Sequence, residues 1–148
     1  LCRMLVYVAA GYGIAYAPPA QVYLLGLLLL SYLVGLTYVA KQEHLGTVSS
    51  LWPLVFLALP VLWGIRAATQ GALAAVLVLA LTAWLLYALS FLRRRRPGDV
   101  PRAVGHLLAG ICLWDALVIA VAGQPSIAAL AVALFVVTLL AQRLVSPT

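Results

Sequence analysis

The sequence has little charge and almost no acid. Charged residues make up 8% of the 148 residues, whereas about 25% is usual for a soluble domain. Asp and Glu together number three, and Asn is absent. With 66% hydrophobic residues, this composition excludes a soluble globular protein. It predicts an all-α integral membrane protein folded as a helical bundle.

The sequence also lacks the common motifs of metal and covalent chemistry. Cys2 and Cys112 lie in separate apolar segments without C-x-x-C spacing, so we expect small packing residues. His44 and His106 have no Cys or Asp at ligand spacing and are predicted to pack or lie at an interface. No nucleophile elbow, phosphate-binding glycine loop or aspartate-rich cluster is present.

Basic residues are present in excess, giving a net charge of +6. Four of the nine form the run Arg93 to Arg96, directly after an apolar segment. Arginines in that position determine membrane topology and meet anionic lipid headgroups. This distribution favours membrane lipids over nucleic acid as the partner of the basic residues.

Six apolar segments divide the chain, and residues 1–148 are predicted to form one transmembrane domain. The first segment is shorter than the roughly 20 residues of a full span, and the sequence does not begin with Met. We therefore expect it to be the C-terminal part of a longer, larger bundle. The segments are predicted at residues 3–16, 20–41, 50–68, 71–92, 101–122 and 126–144.

The basic residues also predict an orientation. Alternate crossings place eight of the nine on one side of the membrane and Arg66 alone on the other. By the positive-inside rule, the side with eight is cytoplasmic. Both chain ends and the loop at residues 93–99 are then cytoplasmic, and we expect a prokaryotic inner membrane.

The second segment carries a polar stripe. Ser31, Gly35, Tyr38 and Gln42 are spaced four, three and four residues apart, so they share one helical face. Small and polar residues on a membrane helix face other helices or a cavity rather than lipid. The end of this helix is therefore predicted to form the rim of a functional site.

Asp115 is an acid within an apolar segment, past its middle and toward the non-cytoplasmic end. Intramembrane acids usually face the bundle or a water-filled cavity. We expect Asp115 to be buried against neighbouring helices in a structural role, with Arg66 as the only base on that side. A place in catalysis or on a solute path is the alternative.

Several short stretches resemble the C-terminal half of UbiA-type membrane prenyltransferases. The stretch from Leu36 to Glu43 resembles the end of the helix that carries the second acidic motif of that family. Further similarity lies in Cys2-Arg3, Ala103 to Gly110, Leu113 to Ala116 and Gln142 to Leu144. The resemblance covers essentially the whole chain.

This resemblance implies transfer of an isoprenoid chain from its diphosphate to a lipophilic acceptor. In the family, two aspartate-rich motifs hold Mg²⁺, which bridges the diphosphate. The first motif lies outside this sequence, so the chain is expected to be inactive alone. Where the second would lie, Tyr38 matches, Lys41 can meet the diphosphate, and Glu43 is the one carboxylate available to Mg²⁺.

Two other classes of function are compatible with the same pattern. One is a transporter-like bundle in which Asp115 lies on the solute path. The other is a non-catalytic scaffold that keeps the fold of a membrane bundle. An aspartate-rich motif upstream of this sequence would favour the enzyme, whereas an upstream inverted repeat would favour the transporter.

Overall fold

A computed structural model of the chain describes residues 20–45, 54–94 and 98–144, with side chains up to Lys41 in the first range. Apart from short turns, these ranges are helical, and they contain no strand. The helices are α1 (Ala20–Leu45), α2 (Val55–Ala67), a 3₁₀ turn (Ala68–Gln70), α3 (Ala72–Arg94), α4 (Asp99–Val121) and α5 (Pro125–Leu144).

Four of these helices are long and apolar enough to cross a membrane, namely α1, α3, α4 and α5. The prediction of an integral membrane helical bundle is thereby supported. Helix α2 with its 3₁₀ turn covers Val55–Gln70 and is shorter than a full span. The first predicted segment, at residues 3–16, lies outside the described residues.

Two glycines that flank α4 have positive φ angles. Gly98 precedes α4 with a φ of 85°, and Gly123 follows it with a φ of 77°. Both values lie in the left-handed region that residues with a Cβ rarely adopt. Gly98 is the capping residue of α4, and Asp99 is the first residue of the helix.

Helix α4 lies at the centre of the bundle and contacts the four other helices. Its inner faces contain small residues, which let neighbouring helices approach closely in a membrane protein. Larger side chains from several helices fill the spaces between them. The buried small residues of α4 are Ala103, Ala109, Gly110 and Ala116, and the largest buried side chains around them are Trp114, Tyr32, Leu57, Leu81, Leu107 and Leu117.

Glycines fix the position of the short helix α2. Gly35 of α1 is buried, and a Cβ added to it would lie 2.6 Å from Cγ of Leu57 in α2. Two turns further along the same face of α2, a Cβ on Gly64 would lie 3.0 Å from Val78 in α3 and 3.2 Å from Leu117 in α4. One face of α2 therefore packs against α1 near Leu57 and against α3 and α4 near Gly64.

Candidate functional site

The polar stripe of α1 faces the bundle, as the sequence predicts. Ser31 is buried, and its hydroxyl donates a hydrogen bond of 2.7 Å to the carbonyl oxygen of Phe56 in α2. Gly35 is buried, and Tyr38 is half-buried. The side chain of Gln42 lies outside the described part of the structure. The stripe is confirmed as a packing face over its first three positions.

The predicted rim is described in part. Helix α1 continues through this stretch to Leu45, so Tyr38, Lys41 and Glu43 lie on one unbroken helix. Tyr38 is half-buried and Lys41 is exposed. The side chain of Glu43 lies outside the described part, so its expected role as a magnesium ligand stays a prediction.

A set of hydrogen bonds that the sequence did not predict joins α4 to three neighbouring helices. The acceptors are the carbonyl oxygens of three successive residues, which we call the carbonyl triplet: Gly105, His106 and Leu107. Gly105 accepts from Nε2 of Gln142 in α5 at 2.8 Å. His106 accepts from Nε1 of Trp84 in α3 at 2.7 Å. Leu107 accepts from the hydroxyl of Tyr32 in α1 at 2.7 Å.

The carbonyl triplet sets the arrangement of the helices around α4. A helical carbonyl oxygen already accepts one bond from the residue four positions later, and its second lone pair remains available. Successive residues point about 100° apart around a helix axis. The three bonds therefore hold α5, α3 and α1, in that order, on three different sides of α4.

Gly110 makes room for one of these bonds. A Cβ at this position would lie 2.5 Å from the hydroxyl oxygen of Tyr32 and 3.4 Å from Cδ1 of Trp84. Since Tyr32 is fully buried, its ring has little freedom to move away. Any larger residue at position 110 would therefore push Tyr32 off the carbonyl of Leu107.

The side chain of His106 belongs to a group of rings that we call the aromatic cluster: Trp84, Tyr87, Phe91, His106 and Phe135. His106 stacks on Trp84 with ring centroids 5.3 Å apart and planes 6° apart. Tyr87 and Phe91 contact the same imidazole at 5.3 and 5.2 Å. Phe135 of α5 meets the edge of Trp84 at 4.7 Å. The prediction that His106 is a packing residue is confirmed.

One polar atom inside the aromatic cluster has no partner among the described residues. Nδ1 of His106 is buried and makes no well-formed hydrogen bond with the described residues. The imidazole is therefore held by ring contacts and by its place on α4, rather than by a carboxylate that would orient it for general-base chemistry.

Four exposed arginines lie at one end of the bundle, which we call the arginine end. Arg93 and Arg94 end α3, Arg102 lies in the first turn of α4, and Arg143 ends α5. The guanidinium of Arg94 lies 5.7 Å from the centroid of the Phe91 ring. The arginine end therefore combines positive charge with the apolar and aromatic interior beneath it.

The structure separates Asp115 from Arg66. Asp115 is exposed on the surface of α4, and Arg66 is exposed on α2. The expectation that Asp115 is buried against neighbouring helices is wrong for the described chain. Leu117, two residues further along α4, faces α2 through Gly64. Because two residues turn a helix by about 200°, Asp115 points away from α2.

The described residues contain no group of three His, Cys, Asp or Glu side chains that could hold a metal ion. They therefore do not by themselves supply the hard oxygen ligands that Mg²⁺ requires. Positive side chains are the groups available here to an anionic ligand.

Sequence reasoning missed Tyr32 and Trp84, which anchor α1 and α3. The sequence did contain a sign of the contact made by Trp84. Trp84, Tyr87 and Phe91 are spaced three and four residues apart and so share a helical face. Tyr32 had no such sign, since its neighbour Ser31 defined the stripe.

Comparison of the chain with protein-family models, curated proteins and solved structures finds no match.

Proposed function

We propose that the chain is the C-terminal half of a UbiA-like membrane prenyltransferase. The reaction moves an isoprenoid chain from its diphosphate to a lipophilic acceptor. The bond between C1 of the chain and the diphosphate oxygen breaks, and diphosphate leaves with the electron pair. C1 then bonds to the acceptor, which loses a proton. The observation that carries this proposal is the arginine end above an apolar, aromatic-lined bundle.

The charge of the arginine end suits the head of such a substrate. Guanidinium groups bind phosphate oxygens through paired hydrogen bonds, and a lysine adds a compact positive charge. Arg94 and Arg102 lie at this end and are exposed. In the proposed alternating order of crossings, α1 ends here as well, which adds Lys41 and Tyr38 to the diphosphate rim.

The interior beneath the arginine end suits the tail of the substrate. An isoprenoid is a branched hydrocarbon that gains free energy by leaving water for an apolar or aromatic surface. The aromatic cluster supplies such rings from α3, α4 and α5. The guanidinium of Arg94 lies over the Phe91 ring of the cluster, so head and tail contacts would be continuous.

Magnesium has a limited place in this proposal. In the resembling family, Mg²⁺ neutralises the diphosphate as it leaves. Here Glu43 is the one candidate ligand within the rim, and a single carboxylate makes a poor site for a hard divalent cation. We therefore propose that this half binds the diphosphate mainly through cations and does not carry out transfer alone.

The proposal includes six membrane crossings, with the arginine end and both chain ends in the cytoplasm of a prokaryotic cell. It rests on the eight-to-one distribution of Lys and Arg. Single cysteines at Gly98 and Gln124, in a background without Cys2 and Cys112, should react with a membrane-impermeant reagent from opposite sides. Labelling of both from the same side would contradict the orientation.

The proposed substrate is tested by binding of a prenyl diphosphate to the complete protein in vesicles. Lys41→Ala should weaken binding at low salt, and the difference should shrink as salt rises, because a partly exposed charge is screened. The matched control is Arg66→Ala, which removes one cation from α2 and should leave the affinity unchanged. Equal affinities for wild type and Lys41→Ala, at low salt with magnesium present, would contradict the proposed rim.

A further inference from the structure

The exposed side of α4 carries a line of residues that we call the α4 seam: Leu108, Ile111, Cys112, Asp115 and Ile119. Leu108 is 47% exposed, Asp115 is exposed, and the other three are half-buried. Their spacing of three and four residues is the pattern by which one helix packs along another. Every member except Asp115 is apolar or weakly polar.

The seam occupies the one side of α4 that the carbonyl triplet leaves open. In an ideal helix, Asp115 lies about 80° beyond Leu107 around the axis and about 80° before Gly105. Leu107 and Gly105 bond to α1 and α5 respectively. Asp115 therefore projects midway between α1 and α5, where none of the described helices covers α4.

Asp115 also lies at membrane depth. It follows the start of α4 at Asp99 by about 24 Å of helix and precedes the end at Val121 by about 9 Å. An acid at this depth is unfavourable when it faces lipid, and such residues pair with another polar group in assembled membrane proteins. The side chain therefore needs a partner that the described residues do not supply.

The geometry excludes Arg66 of the same chain as that partner. Helix α2 contacts α4 through Gly64 and Leu117, on the opposite side of α4 from Asp115. Arg66 lies about 200° around α2 from Gly64, so it points away from α4. A two-fold dimer would need Arg66 and Asp115 on one common surface. Because they lie on opposite sides of the α2–α4 contact, a reciprocal pair is disfavoured.

We propose that the α4 seam binds a transmembrane helix of a partner protein that presents an arginine or lysine to Asp115. The apolar seam residues would pack against the partner helix and exclude lipid from the pair. A cation fits better than a neutral donor, because it satisfies the charged form of the carboxylate and makes a charge-assisted bond. The partner's basic residue should lie about 9 Å inside the outer end of its helix.

The test uses a synthetic Leu-Ala transmembrane peptide with one arginine about 9 Å from its outer end. Its affinity for the complete protein is measured by fluorescence energy transfer in phospholipid vesicles. The arginine peptide should bind about tenfold more tightly than the same peptide with leucine at that position. Asp115→Asn should abolish the difference. In Asp115→Lys, a peptide with glutamate at that position should bind more tightly than the leucine peptide.

A register control uses the seam itself. In the double variant Asp115→Leu with Leu108→Asp, the acid moves two helical turns along the same line. The position in the peptide at which an arginine gives the tightest binding should then shift by about 10 Å. Equal binding of the arginine and leucine peptides to wild type would overturn the proposal. So would Asp115-dependent self-association, which would assign the seam to a second copy of this chain.

Discussion

The two sides of α4 treat polar groups in opposite ways. On the inner side, the carbonyl oxygens of Gly105, His106 and Leu107 each accept a bond from a different helix. On the outer side, Asp115 is exposed at membrane depth without a described ion-pair partner. The inner polar groups are backbone atoms satisfied within the chain, whereas the outer one is a side chain that requires something further.

This contrast separates what holds the bundle together from what the bundle offers to others. In a membrane, lipid is as apolar as a leucine side chain, so close packing and hydrogen bonds determine how helices pair. The carbonyl triplet and the small residues of α4 supply both. A carboxylate that contributes to neither is expected to serve binding, and its removal should leave the fold intact.

The largest expected effect on the inner side comes from filling the space at Gly110. Gly110→Ala should lower the free energy of unfolding by about 1–3 kcal/mol, because the new methyl group would displace Tyr32. The matched control is Gly26→Ala, since a Cβ at Gly26 meets nothing within 4 Å. Unfolding in detergent mixed with increasing SDS provides the measurement.

A double variant sharpens this result. Tyr32→Phe removes the hydroxyl that a methyl group at position 110 would meet. Gly110→Ala should therefore be less destabilising in the Tyr32→Phe background than in wild type. Equal destabilisation in both backgrounds would show that the contact between Gly110 and Tyr32 does not set the packing of α1 on α4.

A smaller effect is expected from the indole bond. Trp84→Phe should lower the free energy of unfolding by about 1 kcal/mol, because it removes the donor to the carbonyl of His106 while keeping an aromatic ring in the cluster. Trp63→Phe is the comparison, since Trp63 packs edge-on against Trp114 and its indole makes no hydrogen bond with the described residues. If both variants lose the same stability, ring volume rather than the bond holds α3.

Loss of the hydrogen bond from Gln142 of α5 should lower the free energy of unfolding by a still smaller amount. Gln142 is half-buried, and its amide donates to Gly105. Gln142→Leu should lower the free energy of unfolding by about 0.6 kcal/mol, the average for hydrogen bonds between membrane helices. Thr138→Val, one turn away and bonded only to its own helix, gives the baseline. A loss above about 2 kcal/mol would indicate that α5 depends on this bond more than α1 and α3 depend on theirs.

The smallest effect is expected on the outer side. Asp115→Asn should change the free energy of unfolding of the chain by less than about 0.5 kcal/mol, as for other exposed substitutions. The same unfolding assay applies, with Leu108→Asn as a second exposed seam variant. A loss of several kcal/mol in Asp115→Asn would mean that the carboxylate has a partner within the chain.

The sequence predicted the helices well and their contacts less well. Long apolar segments bounded by Pro, Gly and arginines are strong local signals, so α1, α3, α4 and α5 match their predicted segments to within a few residues. The polar stripe with Ser31 and Gly35 was also predictable, because small and polar residues are rare on lipid-facing surfaces.

The carbonyl triplet was not predictable, because its acceptors are backbone atoms that every residue has. Which three oxygens are used depends on how α1, α3 and α5 dock, and that is a property of the assembled bundle. Asp115 was misplaced for a related reason. The sequence shows that an acid lies at membrane depth, but the rotation of α4 decides whether it faces a neighbour.

The most direct test of the division between the two sides of α4 measures stability and peptide binding on the same two variants, Trp84→Phe and Asp115→Asn. Trp84→Phe should lower the free energy of unfolding by about 1 kcal/mol and leave the affinity for the arginine peptide unchanged. Asp115→Asn should leave stability unchanged and weaken that affinity about tenfold. If both variants lose stability and affinity together, the two sides of α4 do not have separate roles.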